Sequence, residues 1–266
     1  MALMKVNFYS QALMKATNFN IVIPNDLLPI MIEGNEHYKR KTKALYLLHG
    51  FSGNENDWLY GSLIQNIAVQ YNIAVIMPAG DNSFYVNANG TGKNYGDYVS
   101  QELVEYTRKV FNLSDKKEDT FIGGLSMGGF GAIRNGLNNT DTFGKIFGLS
   151  SALIINDIKN KKEDFKNEVA DYYYYASVFG DLSELEESDK NPEYLIKQLK
   201  REGKDIPPIF MACGTEDFLL NQNREFNEFL VKEGINVDYK ESKGIHDWNF
   251  WNEYLEKAVK WLLDEK

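Results

Sequence analysis

The chain has 266 residues, of which 43% are hydrophobic and 25% charged, with a formal net charge of −9. These proportions match those of folded soluble proteins and exclude a disordered or fibrous chain. The acidic balance and the lack of a long lysine- and arginine-rich run argue against nucleic acid or a membrane surface as the main partner.

The first 15 residues, MALMKVNFYSQALMK, are interrupted by polar side chains before any apolar run reaches the length of a signal peptide. No later stretch approaches the roughly 20 apolar residues of a membrane-spanning helix. The sequence therefore predicts a cytoplasmic protein, while export by a route without such a signal stays open. Cys213 is the only cysteine, which excludes an internal disulfide and a multi-cysteine zinc site.

Short apolar runs alternate with amphipathic segments along the chain. Strands are predicted at 19–24, 44–50, 73–78, 120–125, 145–153, 209–214 and 236–242. Helices are predicted at 62–70, 99–111, 130–138, 223–234 and 249–263. This alternation predicts an α/β fold with a mostly parallel central sheet and helices on both faces. The first run is more polar than the others, which predicts an antiparallel strand at the edge of the sheet.

Residues 156–205 interrupt the alternation. They include 13 acidic and 9 basic residues and the stretch DYYYYASVFGD. No independent apolar core can be drawn from them. We therefore expect one domain over residues 1–266, with a small charged insertion at about 156–205 lying over the sheet.

Ser126 lies in a glycine-rich stretch with five glycines between residues 123 and 131. Residues 124–128 read Gly-Leu-Ser-Met-Gly, and this G-x-S-x-G pattern comes directly after a predicted strand and before a helix. In that context the pattern is typical of a nucleophile elbow, a strained turn that exposes the serine hydroxyl. The plainer alternative is a glycine-rich turn with a passive serine. A phosphate-binding loop is disfavoured, since neither a lysine–threonine pair nor a dinucleotide spacing follows.

A serine nucleophile needs a nearby base, and histidine is the usual one because its pKa is close to neutral pH. His37 lies in a polar turn and is interpreted as a surface residue. His49 ends a predicted strand and is interpreted as a support for the following loop. His246 follows the last predicted strand and precedes the C-terminal helix, so it is the predicted base.

The base needs a carboxylate to orient it, and the stretch IFMACGTEDFLL offers Asp217 just beyond a predicted strand. The chain order Ser126, Asp217, His246 is the order of the α/β-hydrolase triad. Glu216 is a rival acid. Asp247 is another, although an immediate neighbour of the histidine would have difficulty reaching its ring.

A tetrahedral intermediate requires N–H donors for its oxyanion. Met127 follows the nucleophile and supplies the first. The second is expected from the loop in LLHGFSGNENDW, where Gly50 and Gly53 allow a close approach to the serine; Phe51 N–H is the predicted donor.

With these residues in place, the sequence resembles the esterase D branch of the α/β-hydrolases, and within it the tributyrin esterase type. This branch includes S-formylglutathione hydrolases, feruloyl and acetylxylan esterases, and mycolyltransferases. The matching pieces are LYLLHGFSGNENDWL, FIGGLSMGGFGA, SVFGD, ACGTEDFL and IHDWNFW, which span about residues 40–255. The resemblance implies the same nucleophile, acid, base and oxyanion donors, no metal and no cofactor, and an insertion near the active site that sets substrate choice.

The resemblance implies a serine carboxylesterase acting through an acyl-enzyme on short-chain acyl or hydroxycinnamoyl (feruloyl-type) esters. Alternatives are an S-formylglutathione hydrolase-like thioesterase, an acetylxylan-type deacetylase, and a non-catalytic scaffold. Trp248 and Tyr174 are predicted to contact the substrate, and the plainer interpretation is that they anchor the last helix and the insertion. The expected partner is a small-molecule ester, with a plant polysaccharide as one source. The oligomeric state, including a homo-oligomer, stays open.

Overall fold

A computed structural model describes residues 1–265 of the chain. The strands are β1 (Ala2–Ser10), β2 (Lys15–Ile23), β3 (Lys43–Leu48), β4 (Ile73–Pro78), β5 (Thr120–Leu125), β6 (Lys145–Leu149), β7 (Ile209–Gly214) and β8 (Val237–Ser242). They form one eight-stranded sheet in the order β1-β2-β4-β3-β5-β6-β7-β8. Strands β3 to β8 are parallel, whereas β2 runs antiparallel to both β1 and β4. The predicted α/β architecture is therefore confirmed.

The longer helices are α3 (Ile64–Tyr71), α5 (Leu103–Phe111), α6 (Met127–Asn138), α8 (Tyr172–Phe179), α9 (Pro192–Arg201), α10 (Leu220–Lys232) and α11 (Trp248–Leu262). The short ones are α1 (Pro29–Ile32), α2 (Asp57–Gly61), α4 (Tyr95–Asp97) and α7 (Ile155–Ile158), a π-helical turn at Tyr98–Glu102, and 3₁₀ turns at Glu36–Lys39, Lys117–Asp119 and Leu185–Glu187. No helix within residues 1–265 is both long and apolar enough to cross a bilayer.

Helices cover both faces of the sheet. Successive residues of a strand point to opposite faces, and in β3 Tyr46 and Leu48 belong to one apolar cluster while Leu45 and Leu47 belong to the other. The first cluster also takes side chains from α5, α6, α9 and α10. The second takes side chains from α2, α3 and α11. The helices therefore bury both faces of a sheet whose carboxyl-end loops stay open for function.

The N-terminal hairpin of β1 and β2 differs from the sequence prediction in which strand forms the edge of the sheet. The first predicted strand, 19–24, overlaps β2 and is antiparallel, as expected, but the prediction that it forms the edge is wrong because β1 pairs along its outer side. In β1 the half-buried residues Met4, Val6 and Phe8 alternate with exposed ones. This period of two, typical of a strand with one buried face, is the signal that the sequence carried for β1.

The segment 156–205 contributes to the first apolar cluster. Tyr175 and Phe179 of α8 and Ile196 of α9 are fully or almost fully buried in it. The segment is also tied to α6 by an ion pair between the buried Arg134 guanidinium and Asp189. Arg134 Nε donates a further hydrogen bond to the backbone oxygen of Asp189 over 2.9 Å. The segment therefore packs on the helix that follows Ser126.

Candidate active site

Ser126 occupies a strained turn between β5 and α6. Its φ of 53° and ψ of −120° lie in a region that non-glycine residues rarely adopt. Its N–H donates to Leu149 O over 2.9 Å. Glycines flank it because a Cβ on Gly124 would collide with Gly128 O, and one on Gly128 would collide with Leu48 O. The strand–turn–helix context expected of a nucleophile elbow is present.

The loops after β7 and β8 bring Asp217 and His246 together. Glu216 N–H donates to Gly244 O over 2.9 Å, which ties one loop to the other. His246 Nδ1 lies 2.9 Å from Asp217 Oδ2 and 3.1 Å from Oδ1. Since a carboxylate only accepts, Nδ1 carries the proton and Nε2 is left to take one up. Asp217 Oδ1 also accepts from Leu219 N–H over 2.9 Å.

Asp217 stays ionised although its side chain is inaccessible to solvent. Burial by itself raises the pKa of this carboxyl. The hydrogen bond from His246 and its charge oppose burial, and Leu219 N–H and the Ser150 hydroxyl add smaller contributions. The net result is a pKa below the ordinary value of an aspartate. An ionised Asp217 both fixes the histidine tautomer and stabilises the imidazolium form.

The rival acids and bases have other surroundings. Glu216 is exposed. Asp247 caps helix α11 by accepting from Phe250 N–H over 3.0 Å. His37 Nε2 pairs with Glu265 over 2.6 Å, in a different part of the molecule from the residues described above. None of these three groups lines the cavity that contains Ser126.

That cavity has a volume of about 590 Å³ and is lined by both Ser126 and His246. Among residues 1–265 the hydrogen bonds of the His246 ring run to Asp217, and none joins it to the Ser126 hydroxyl. Catalytic hydrogen bonds are often long before substrate binds. The two residues therefore share one solvent-accessible space without being bonded to each other.

Phe51 and Met127, the predicted oxyanion donors, line the same cavity. In the described part of the chain neither backbone N–H donates to another backbone oxygen outside the regular elements. Met127 is the first residue of α6, whose positive end adds to the attraction for an anion. The two predicted donors thus belong to residues of the cavity wall that also contains Ser126.

The cavity is lined by both apolar and polar side chains. The apolar lining includes the aromatic rings of Phe51, Phe84 and Phe218. The polar lining comes from the 156–205 segment and from α10: Asp157, Asn167, Glu168 and Gln222. Asp157 Oδ2 accepts from Gln222 Nε2 over 2.9 Å, which links the two sources. We call these four residues the polar side of the cavity. The sequence did not predict them as a group, since they are scattered over 66 residues without a shared motif.

The two predicted substrate-contacting residues, Trp248 and Tyr174, do not line this cavity. Trp248 packs edge-on against Trp58, with ring centroids 5.2 Å apart, and so anchors α11. Tyr174 lines a neighbouring cavity of about 330 Å³ and donates its hydroxyl to Asn82 O over 2.7 Å. Its ring meets that of Phe51 edge-on at 5.6 Å, so Tyr174 supports the wall of the site from outside.

Two aromatic residues contact the ring of His246: Phe218, which the sequence did not single out, and Trp251, which it offered with Trp248 as an anchor of the last helix or a border of the site. The ring centroids of Phe218 and His246 are 4.6 Å apart. Those of Trp251 and His246 are 5.0 Å apart, and these two rings meet edge-on. Trp251 Nε1 also donates to Ser150 Oγ over 3.2 Å. The signals in the sequence were positional: Phe218 follows the predicted acid directly, and Trp251 lies in the first turns of the helix after the predicted base.

Among the residues that the structure describes, no group of three or more His, Cys, Asp and Glu side chains is arranged to hold a metal ion. The cavity lining includes the Ser126 hydroxyl and the His246 imidazole, and the Asp217 carboxylate is bonded to that imidazole.

Comparisons with known proteins show the family and the fold of the chain. A family model described as "Putative esterase" matches residues 10–262. An acetyl esterase of Caldicellulosiruptor saccharolyticus is 47% identical over 262 residues, which cover 98% of each chain. The fluorophosphonate-binding serine hydrolase FphF of Staphylococcus aureus has a TM-score of 0.84 at 29% identity, covering 98% of both chains. An S-formylglutathione hydrolase (FrmB) of the same organism has a TM-score of 0.82 at 28% identity, also covering 98% of both chains. The chain thus belongs to this esterase family, and it is a carboxylic ester hydrolase with the α/β-hydrolase fold.

Proposed function

We propose that the chain is a serine esterase that removes short acyl groups, acetyl above all, from a neutral hydroxylated alcohol. The observation that carries this proposal is the 2.9 Å hydrogen bond between His246 Nδ1 and Asp217 beside a cavity that also contains Ser126. In the proposed reaction Ser126 is the nucleophile, His246 the general base and Asp217 the orienting acid. Phe51 N–H and Met127 N–H form the oxyanion hole.

The acylation step follows from the proton positions. His246 Nε2 takes the Ser126 proton as Oγ attacks the ester carbonyl carbon, and the carbonyl oxygen becomes an oxyanion. Phe51 N–H and Met127 N–H stabilise that charge; one such donor is typically worth about 3 kcal/mol. The imidazolium, stabilised by Asp217, then protonates the leaving alcohol. The products of this half-reaction are the free alcohol and an acyl-Ser126 ester.

Deacylation uses the same groups with water in place of the alcohol. His246 Nε2 removes a proton from water, whose oxygen attacks the acyl carbon, and the tetrahedral intermediate collapses by expelling Ser126 Oγ. The proton returns from the imidazolium to Oγ. The acid is released and the starting protonation state is restored.

The acetyl preference is supported by the relative at 47% identity, which is named an acetyl esterase. The cavity volume of about 590 Å³ exceeds what an acetyl group fills, so most of the space is available to the alcohol. Its polar side carries the carboxylates Asp157 and Glu168 and the amides Asn167 and Gln222. These groups can accept hydrogen bonds from hydroxyls, which favours a sugar-like alcohol, including one from a polysaccharide.

Two other substrates are supported by specific features. The rings of Phe51, Phe84 and Phe218 suit a hydroxycinnamoyl group such as feruloyl. A thioesterase role is suggested by the S-formylglutathione hydrolase among the structural neighbours. The carboxylates Asp157 and Glu168 oppose that role, because glutathione itself carries two carboxylates that would lie in the same cavity.

The test combines one variant with one substrate panel. Ser126→Ala is expected to lower hydrolysis of p-nitrophenyl acetate by about 10⁴-fold or more, while the exposed Ser177→Ala serves as the matched control and stays fully active. A fluorophosphonate probe is expected to label the wild type and not Ser126→Ala. Turnover of acetyl, butyryl and feruloyl esters and of S-formylglutathione then ranks the substrates. Persistent activity of Ser126→Ala rejects the nucleophile, and a preference for S-formylglutathione rejects the proposed substrate class.

A further inference from the structure

His49 is a buried imidazole next to the site that the proposed reaction does not use. It follows β3, is only 1% exposed, and both ring nitrogens have partners. Gly80 N–H donates to Nε2 over 2.9 Å, and Nδ1 lies 2.7 Å from Gly50 O. A backbone N–H can only donate, so Nε2 is an acceptor and Nδ1 carries the proton that is donated to Gly50 O. The side chain is therefore a neutral imidazole with one fixed tautomer.

The bond to Gly50 O has a consequence on the other side of the same peptide unit. This peptide is trans, so its C=O and the Phe51 N–H point in opposite directions. A fixed Gly50 oxygen therefore fixes the direction of the Phe51 N–H. Gly53 N–H donates to the same oxygen over 3.2 Å and adds a second, weaker restraint.

This peptide unit lies against the proposed nucleophile. A Cβ built on Gly50 would lie 3.5 Å from Ser126 Cβ, and Phe51 lines the cavity that contains Ser126. The carbonyl of the unit points to His49, away from that cavity. If the peptide rotated, its oxygen would replace the N–H as the group presented to the substrate, and the oxyanion would meet a negative dipole.

We propose that His49 is a positioning residue that orients the 50–51 peptide so that Phe51 N–H points at the oxyanion. This inference rests on the proposed function, because it takes Phe51 N–H as an oxyanion donor. His49 does not touch the substrate; it acts through the Gly50 carbonyl. Its contribution is made in the transition state, where the negative charge develops, and not in substrate binding.

Two substitutions separate the two hydrogen bonds of His49. The amide of His49→Asn reaches the position of Nδ1 and keeps a donor for Gly50 O, while it gives up the bond from Gly80. The amide of His49→Gln reaches the position of Nε2 and keeps an acceptor for Gly80 N–H, while it gives up the bond to Gly50. Each variant loses one buried hydrogen bond, so a purely structural role predicts similar losses of stability and of activity.

The proposal predicts different outcomes for the two variants. For His49→Gln, kcat on p-nitrophenyl acetate is expected to fall about 10- to 100-fold with KM nearly unchanged, whereas His49→Asn keeps kcat within about threefold. The Ki of a trifluoromethyl ketone, which forms a tetrahedral oxyanion with the serine, is expected to rise for His49→Gln by the factor lost in kcat/KM. His37→Asn, at a half-buried histidine that does not line the cavity, is the control and changes neither quantity.

Equal kcat losses in the two variants, or a larger loss in His49→Asn, overturn the proposal. If His49→Gln does not fold, His49→Asn alone decides, because a large fall in its kcat contradicts the positioning role. Failure of the proposed function would give a different result from failure of the role of His49. In that case the wild-type protein itself hydrolyses no ester and takes up no fluorophosphonate, and the role of His49 falls with it.

Discussion

The loops at the carboxyl ends of β5, β7 and β8 and the segment 156–205 hold their functional groups in different ways. In the loops, backbone hydrogen bonds and a strained turn fix Ser126, Asp217 and His246, and each lies within a few residues of a strand end. In the segment, polar side chains reach the cavity from a part of the chain held by an ion pair and by apolar packing on α6. We infer that reaction chemistry resides in the first region and substrate selection in the second, so that each can be altered separately.

Among the substitutions that test this comparison, the largest effect is expected from Asp217→Asn. An asparagine keeps the shape but removes the charge that stabilises the imidazolium and can favour the wrong histidine tautomer, so kcat is expected to fall about 10⁴-fold. Steady-state kinetics on p-nitrophenyl acetate measures this loss. Thermal unfolding, measured alongside, shows whether the fold is retained.

Glu216→Gln is the matched control for that substitution, because Glu216 is the neighbouring carboxylate and is exposed. It is expected to keep wild-type kcat. The opposite pattern, with Glu216→Gln inactive and Asp217→Asn active, would move the acid to residue 216 and contradict the role assigned to the buried carboxylate.

The attachment of the segment to α6 is tested by removing either partner of its ion pair. Arg134 is buried and Asp189 is half-exposed. Asp189→Asn leaves a buried guanidinium without its anionic partner and is expected to lower the free energy of unfolding by about 2 kcal/mol, discounted for the exposure of Asp189. Arg134→Met removes the buried charge, and the carboxylate returns to water, so a smaller loss is expected.

Urea unfolding measures both changes. If the two regions act separately, KM for the ester rises in Asp189→Asn because the segment is loosened, while kcat changes less than about threefold. A large fall in kcat with KM unchanged would instead show that the segment controls the catalytic loops, and the distinction between the regions would fail.

A smaller effect is expected on the pH dependence of the free energy of unfolding. Burial lowers the pKa of His49, although the hydrogen bond to Gly50 O and, after it, the carboxylates of Asp57, Asp81 and Glu55 oppose this shift. Between the lowered folded-state pKa and the ordinary value of about 6.5, the unfolded chain binds more protons, so stability rises with pH. The contribution of His49 is fully present above the unfolded-state pKa and is lost as pH falls towards the folded-state pKa, with a slope of at most about 1.4 kcal/mol per pH unit.

The comparison of wild type with His49→Asn isolates this contribution. The difference between their free energies of unfolding is expected to shrink from pH 7 to pH 5, as measured by urea unfolding at several pH values. A constant difference over this range would show that the imidazole titrates alike in the folded and unfolded chains.

The sheet and the residues near strand ends could be predicted from sequence because each depends on a short, contiguous pattern. Glycine is required at both 124 and 128, which lie close together in the sequence. In the structure a Cβ at either position would strike backbone atoms. Asp217 and His246 were predicted as partners from their positions after two strands. Those strands, β7 and β8, are neighbours in the sheet, and the residues lie within hydrogen-bond distance.

The surroundings of these residues could not be predicted in the same way. Trp248 and Tyr174 were selected as substrate contacts for their aromatic character, yet their rings face Trp58 and Phe51. Which side chains of an irregular segment face a cavity depends on long-range packing, such as the contact of Arg134 with Asp189. The local spacing of residues in the segment therefore does not indicate which of its side chains face the cavity. Strand β1 is a different case, because its alternation of half-buried and exposed residues is itself a local pattern.

The smallest predicted effect tests the polar side of the cavity. Asp157 and Glu168 place two carboxylates in the cavity, and at effective dielectric constants near a protein surface their repulsion of a substrate carboxylate amounts to about 1 kcal/mol or less. Asp157→Asn and Glu168→Gln keep hydrogen-bonding capacity and remove the charge. Each is expected to raise kcat/KM for S-formylglutathione by about two- to fivefold, with kcat/KM for p-nitrophenyl acetate unchanged. This gain should diminish in 0.5 M salt, because screening removes the repulsion that the substitutions relieve. An equal change for both substrates would mean that these carboxylates support the catalytic loops as well, and selection and chemistry would no longer belong to separate regions.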